Sequence, residues 1–159
     1  MTSSDYKIGI DFHGVITSAP LFFKNFTSLA QAKGWKIYII SGGPYQKVKD
    51  FLDSQQIKYD NIFALVDYFA EQGKVNFAAD GHFEVEADLW NKAKAEYCRE
   101  QGINIQIDDT PEYGVAFSTP FCHFNPEKKI CEVDGHKIDF GTSAERTLNL
   151  IENYIRHTD

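Results

Sequence analysis

Three times along this chain a short, β-branched apolar run stops abruptly on small polar or acidic residues: KIGI before Asp11, WKIYII before Ser41, and INIQI before Asp108 and Asp109. Short apolar runs bounded by turn-forming residues read as buried strands. Between the first two, Phe22, Phe23, Phe26, Leu29 and Ala30 recur at helical spacing, with Thr17 or Ser18 placed as a cap, Pro20 in the first turn and Gly34 at the end. Pro44 opens a second helix through about Gln55, with Val48, Phe51 and Leu52 inward. A strand, a helix, a strand and a helix in close succession predict a right-handed parallel αβ unit. Ligands of such sheets bind in the crevice beyond the carboxyl ends of the strands, which is where all three polar stops would gather.

The later chain extends the same pattern. The stretch IFALVDYFAEQG fits a strand running into a short helix, or one helix, and periodicity leaves both open. VNFAADGHFEV then carries Asp80-Gly81 between apolar and aromatic residues, a hairpin signal, and is read as a small β-insert able to stand over the crevice. Asp88 caps a helix that runs to about Gln101 and ends at Gly102, with Leu89, Trp90, Ala93, Tyr97 and Cys98 as its inner face. VAFSTPFCHF predicts a further strand interrupted at Pro120, and KKICEVDGHKIDF a hairpin turning at Asp134-Gly135. Ser143 starts a last helix that docks through Leu148, Leu150, Ile151, Tyr154 and Ile155. With no repeat or linker, the expectation is one α/β domain over residues 1–159. It has a three-layer, Rossmann-like parallel sheet with helices on both faces, a small insert at about residues 63–87 and no large cap.

Composition narrows the partners. The chain is 43% hydrophobic and 25% charged, as globular domains are, and its formal charge of -7 with no Lys/Arg cluster argues against long nucleic acids. No apolar run approaches the roughly 18 residues of a membrane span, and MTSSDYK lacks the layout of a signal peptide, so a cytoplasmic protein with no membrane partner is expected. Cys98, Cys122 and Cys131 are odd in number and without CxxC spacing, so neither a disulfide framework nor a cysteine-rich zinc site is expected. Cys122, His123, Cys131 and His136 can be assembled into a metal site on paper, but their spacing matches no zinc pattern.

The polar strand ends carry the chemistry. Carboxylates brought together repel and raise one another's pKa unless a cation or a proton intervenes. Magnesium is a hard ion that takes one or two carboxylates with carbonyl, water and phosphate oxygens, and beside it Asp11 can attack a phosphorus atom. The residues here match a family: IGIDFHGVIT resembles the first motif of the haloacid dehalogenase-like (HAD-like) hydrolases, a hydrophobic run followed by DxDGxxT. IYIIS resembles their second motif and IQIDD their fourth, so the resemblance spans about Lys7 to Tyr113.

That resemblance implies a magnesium-dependent phosphatase in which Asp11 forms an aspartyl-phosphate and Ser41 hydrogen-bonds the phosphoryl group. Asp11, the His13 backbone carbonyl and Asp108 would be metal ligands, with Asp109 ligating or orienting. The substrate would be a small phosphorylated molecule. A lysine before the fourth motif would neutralise charge. Lys92 and Lys94 both qualify, and Lys94 is preferred because it lies four residues from both Trp90 and Cys98, near the inner face, while Lys92 aligns with Glu96 and Arg99. The departure is His13, where the family's phosphatases carry a second aspartate as acid/base. Histidine can give and take a proton near neutral pH, worth roughly 10²- to 10⁴-fold in rate, or the function has been lost. The alternative is therefore a catalytically weak or inactive member that binds a phosphorylated ligand or a protein partner. Plainer readings stand beside these: Asp108 and Asp109 as a turn cap before Pro111, Ser41-Gly42-Gly43 as a strand-to-helix turn, and His82, His123 and His136 as surface residues.

Overall fold

In the computed structural model, which describes residues 5–80 and 82–157, the first apolar run forms strand β1 (Lys7–Ile10). A 3₁₀ turn over Ile16–Ser18 follows, then helix α1 (Pro20–Ala32). The chain continues through β2 (Lys36–Ser41), α2 (Tyr45–Ser54), β3 (Asn61–Ala64), α3 (Leu65–Glu71) and the short β4 (Asn76–Phe77) and β5 (Phe83–Glu84). Next come α4 (Ala87–Gln101), β6 (Ile105–Asp108) and α5 (Pro111–Gly114). β7 (Phe121–Asn125), β8 (Ile130–Val133), β9 (His136–Asp139) and α6 (Ala144–His157) complete it.

Seven strands form one sheet in the order β3-β2-β1-β6-β7-β8-β9. The pairs from β3 to β7 are parallel, and β8 and β9 add an antiparallel edge. Strand alternation explains how both faces are covered. Ile37 and Ile39 join Ile8, Ile10, Ile105 and Ile107 in a core with Phe23 and Phe26 of α1, Val48 and Leu52 of α2, and Leu148 and Ile151 of α6. The intervening Tyr38 and Ile40 pack instead with Cys98 of α4. Leu65 and Phe69 of α3 meet Ala93 of α4 in a smaller cluster. Helices therefore lie on both faces of a mostly parallel sheet. Phe22, Phe23 and Phe26 are packing residues, as their spacing predicts. Among the described residues, no helix is long and apolar enough to cross a membrane.

Several local expectations are corrected. The helix after β1 starts at Pro20 with Ala19 at the N-cap, and neither Thr17 nor Ser18 caps it. Ser18 Oγ donates instead to the Val15 carbonyl within the 3₁₀ turn. Glu86, not Asp88, holds the N-cap of α4, and Asp88 lies in the first turn, where a negative charge suits the helix dipole. The ambiguous IFALVDYFAEQG resolves as β3 passing directly into α3. Of the first hairpin's turn, Gly81 lies outside the described residues, while β4 and β5 pair antiparallel as a separate two-stranded sheet. At the second hairpin Asp134 and Gly135 both have positive φ, 48° and 80°, as a two-residue turn of this type requires.

The largest correction concerns sulfur. Cys122 on β7 and Cys131 on β8 form a disulfide, against the expectation of none. The hairpin register pairs Phe124 with Cys131, which sets Cys122 diagonally across from Cys131, both buried beneath the sheet. Counting cysteines carries no information about that register. His123 and His136 are exposed, so the metal site drawn on paper around these four residues does not form.

Candidate functional site

The sheet order changes direction at β1, which has β2 on one side and β6 on the other. This is the switch point at which the carboxyl ends of neighbouring strands open a crevice. Register then decides which side chains share it: Ile10 pairs with Ile107, and the Asp11 N–H donates to the Ile107 carbonyl at 2.8 Å. Asp11, one residue past the end of β1, thereby stands beside Asp108, the last residue of β6. Carboxylate oxygens of Asp11, Asp108 and Asp109 all lie within 4.8 Å of one another.

From the facing helix α4, Lys94 reaches into this group. Its Nζ donates to Asp11 Oδ1 at 3.0 Å and to Asp108 Oδ2 at 2.9 Å. Lys94 is only 2% exposed, Asp11 5% and Asp108 0%, so the three charges are held away from water. Lys92, the other candidate, is exposed. Phe12 N–H also donates to Asp11 Oδ1, and Thr110 N–H to Asp108 Oδ1. Asp109, half-buried, accepts from the Thr110 hydroxyl. Gly14, at φ +81°, is what admits Asp109 beneath the loop after β1, because a Cβ there would lie 2.0 Å from Asp109 Oδ2.

The site holds three carboxylates against one ammonium. Burial pushes the Asp11 carboxyl up to about 8; the Lys94 charge works against this, while neighbouring Asp108 pushes it further upward. Burial acts to lower the pKa of Lys94, but the Asp11 and Asp108 charges outweigh it and hold the ammonium above its usual range. An additional positive charge would relieve the cluster. Its donors are all carboxylate oxygens, which suit a hard divalent cation, so the residues fit a metal ion on their own chemistry.

Ser41 closes β2 and is fully buried, and its Oγ accepts from Gly43 N–H at 3.1 Å. The structure places it at the carboxyl end of the strand next to β1, without a direct contact to the carboxylate cluster. His13 is exposed, its ring edge-on to Phe12 and its Nε2 3.4 Å from the Gly43 carbonyl. His82, His123 and His136 are exposed, and His123 is the register partner of Asp108 on the neighbouring strand.

Several residues that sequence reasoning passed over support the cluster. Gln106, fully buried on β6, donates from Nε2 to Asp108 Oδ2 at 3.3 Å and accepts a weak bond from the Cys98 thiol at 3.8 Å. It sits in register with Gly9, where a Cβ would lie 2.1 Å from Gln106 Oε1. A glycine at the centre of β1 opposite a glutamine was the available signal. Cys98 itself is an inert thiol, since burial pushes it up to about 12. Tyr113 on α5 lies with its ring 4.7 Å from Lys94 Nζ, and its hydroxyl accepts from the Trp90 indole N–H at 2.9 Å. Compared with known protein families, curated proteins and solved structures, the chain matches none.

Proposed function

We propose that this chain is a HAD-like hydrolase that cleaves phosphomonoesters with a bound magnesium ion, through an aspartyl-phosphate on Asp11. The observation that carries the reading is the convergence of Asp11, Asp108 and Asp109 within 4.8 Å, with Lys94 bridging Asp11 and Asp108. Asp11, the His13 backbone carbonyl and Asp108 would hold the ion, with Asp109 ligating or orienting. When bound, magnesium supplies positive charge for the phosphoryl oxygens and keeps the Asp11 carboxylate ionised.

Lys94 and the Phe12 N–H both occupy Asp11 Oδ1, which leaves Oδ2 as the attacking atom. Attack forms the bond from Asp11 Oδ2 to phosphorus and breaks the bond from phosphorus to the ester oxygen. His13, at the exposed mouth of the site, gives a proton to the departing alkoxide. Water then attacks the aspartyl-phosphate with His13 accepting its proton, and inorganic phosphate leaves as Asp11 is restored. Ser41, whose Oγ already accepts from Gly43, keeps its own O–H for a phosphoryl oxygen. Lys94 is pre-positioned to neutralise charge as it develops.

The test is turnover of a panel of phosphometabolites with and without magnesium, with Asp11→Asn as the blank. Turnover should vanish in Asp11→Asn and with chelator. Magnesium-independent turnover, or turnover retained by Asp11→Asn, would contradict the proposal.

A second reading, a weak or inactive member that binds a phosphorylated ligand or a protein partner, draws on His13, whose Nε2 lies by the Gly43 carbonyl. His13→Asp separates the two. A large gain in turnover favours lost acid/base function; a loss favours histidine as the working acid/base.

A further inference from the structure

Two exposed aromatic rings stand side by side on the small β-insert. Phe77 is 63% exposed and Phe83 40%, and the two are directly opposed partners of β4 and β5 with ring centroids 6.5 Å apart. Directly opposed residues share a face of an antiparallel pair. The row does not stop there. Phe83 lies 5.7 Å from Trp90, Trp90 donates to the Tyr113 hydroxyl, and the Tyr113 ring lies 4.7 Å from Lys94 Nζ. Trp90 also borders the residue after Ser41, since a Cβ at Gly42 would lie 3.2 Å from its six-membered ring. A wall of aromatic side chains, joined by ring contacts from Phe77 to Trp90 and by the hydrogen bond from Trp90 to Tyr113, therefore runs from the cation between Asp11 and Asp108 out to solvent.

A hairpin with two residues per strand cannot bury such rings by itself. The wall begins at the proposed phosphoryl site, so the group positioned to cover it is whatever is esterified to the phosphate. Aromatic faces favour flat partners that stack offset or edge-on, beyond what apolar area alone provides. We propose that this wall seats the leaving group, and that the substrates are phosphomonoesters whose alcohol carries a planar aromatic ring. This rests on the hydrolase reading above. The crevice floor bears more carboxylates than cations, which disfavours a leaving group with further negative charge.

Benzyl phosphate and ethyl phosphate make the comparison, since both release an alkyl alcohol and differ in the ring. The wild-type chain with magnesium should favour benzyl phosphate by about tenfold in kcat/KM, the size of one stacking contact. In Phe83→Leu that preference should collapse to less than about threefold, through KM and not kcat, while Phe83→Tyr should retain it. Equal handling of the two esters, or a preference that survives in Phe83→Leu, overturns the subsite and leaves the hydrolase reading standing. If neither ester is turned over, the panel above decides the hydrolase reading and indole fluorescence decides the subsite. Trp35 is only 1% exposed, so Trp90 is the tryptophan placed to report a ligand. Saturation by benzyl phosphate at about a tenth of the ethyl phosphate concentration supports the subsite, and equal saturation or no response overturns it. Sedimentation that shows a dimer lost in Phe83→Leu also overturns it, because the wall would then be covered by a second copy of the chain.

Discussion

β2 and β6, in the parallel half of the sheet, are buried along nearly their whole length, whereas β7, which joins that half to the antiparallel edge, and β8 on the edge alternate buried and outward residues. Parallel strands covered on both faces have no solvent side, and one-sided antiparallel strands do. Polar residues are handled accordingly. On the edge, His123, Glu132 and Lys137 simply face water. In the parallel half, Gln106, Asp108 and Asp11 have nowhere to go, so they are satisfied by one another, by Lys94 and by backbone N–H groups. Among the described residues, buried charge is thus confined to the switch point between β1 and β6. Stability can be gained at the edge without disturbing that place, whereas each charge at the switch point depends on its neighbours.

The two regions differ most in what a substitution at Lys94 should cost. Replacing it by methionine, which nearly fills its volume, leaves the buried Asp11 and Asp108 carboxyl groups without the ammonium they share. Removing one partner of a buried ion pair costs about 3–5 kcal/mol. Chemical denaturation of Lys94→Met without divalent ions should show a loss of that order, and turnover should fall by about 10²- to 10³-fold.

A smaller effect follows from pH. The folded Asp11 carboxyl keeps its proton up to about pH 8, while the unfolded one releases it near 3.8. Between those values the folded state binds more protons, so this residue's contribution to stability declines as pH rises through the window. Without divalent ions, the melting temperature of Asp11→Asn should gain on that of wild type between pH 4 and pH 8. Magnesium should close the gap at the upper end. A difference that stays constant across the range would show that Asp11 is not under this strain.

The smallest effect on chemistry is expected at the edge. The disulfide closes a loop with a sequence separation of 9, for which chain entropy gives about 2–3 kcal/mol. The double variant Cys122→Ala/Cys131→Ala should lose stability of that order and keep turnover within about twofold, since Cys122 packs in the core beside Ile107, whose side chain points to the opposite face of β6 from Asp108. A large fall in turnover would mean that the two halves of the sheet are mechanically coupled.

What the sequence made legible follows the same division. The strands of the parallel half and the preference for Lys94 over Lys92 rest on patterns local to one element, an apolar run with its stop or a helical face, and the gathering of Asp11 with Asp108 and Asp109 follows once strands with such stops lie parallel. Gln106 opposite Gly9, the disulfide, and the link from Trp90 through Tyr113 to Lys94 depend on register or on contact between distant elements. The N-cap of α1 differs for another reason, because the acceptable capping residues Thr17 and Ser18 are taken up by a 3₁₀ turn that shifts the helix start, whereas Gly102 ends α4 and Ser143 starts α6 as expected. Ser41 and His13 fall between, placed at the right strand end and loop by their motifs while their hydrogen bonds turn to Gly43.

On the reading proposed above, Asp11 and Asp108 share one cation. Calorimetric titration of the purified chain with magnesium, and with manganese as its spectroscopic substitute, tests it most directly. One site per chain is expected in the wild type, lost or weakened by at least about tenfold in Asp108→Asn. No binding by the wild type, or unchanged binding by Asp108→Asn, would contradict the account.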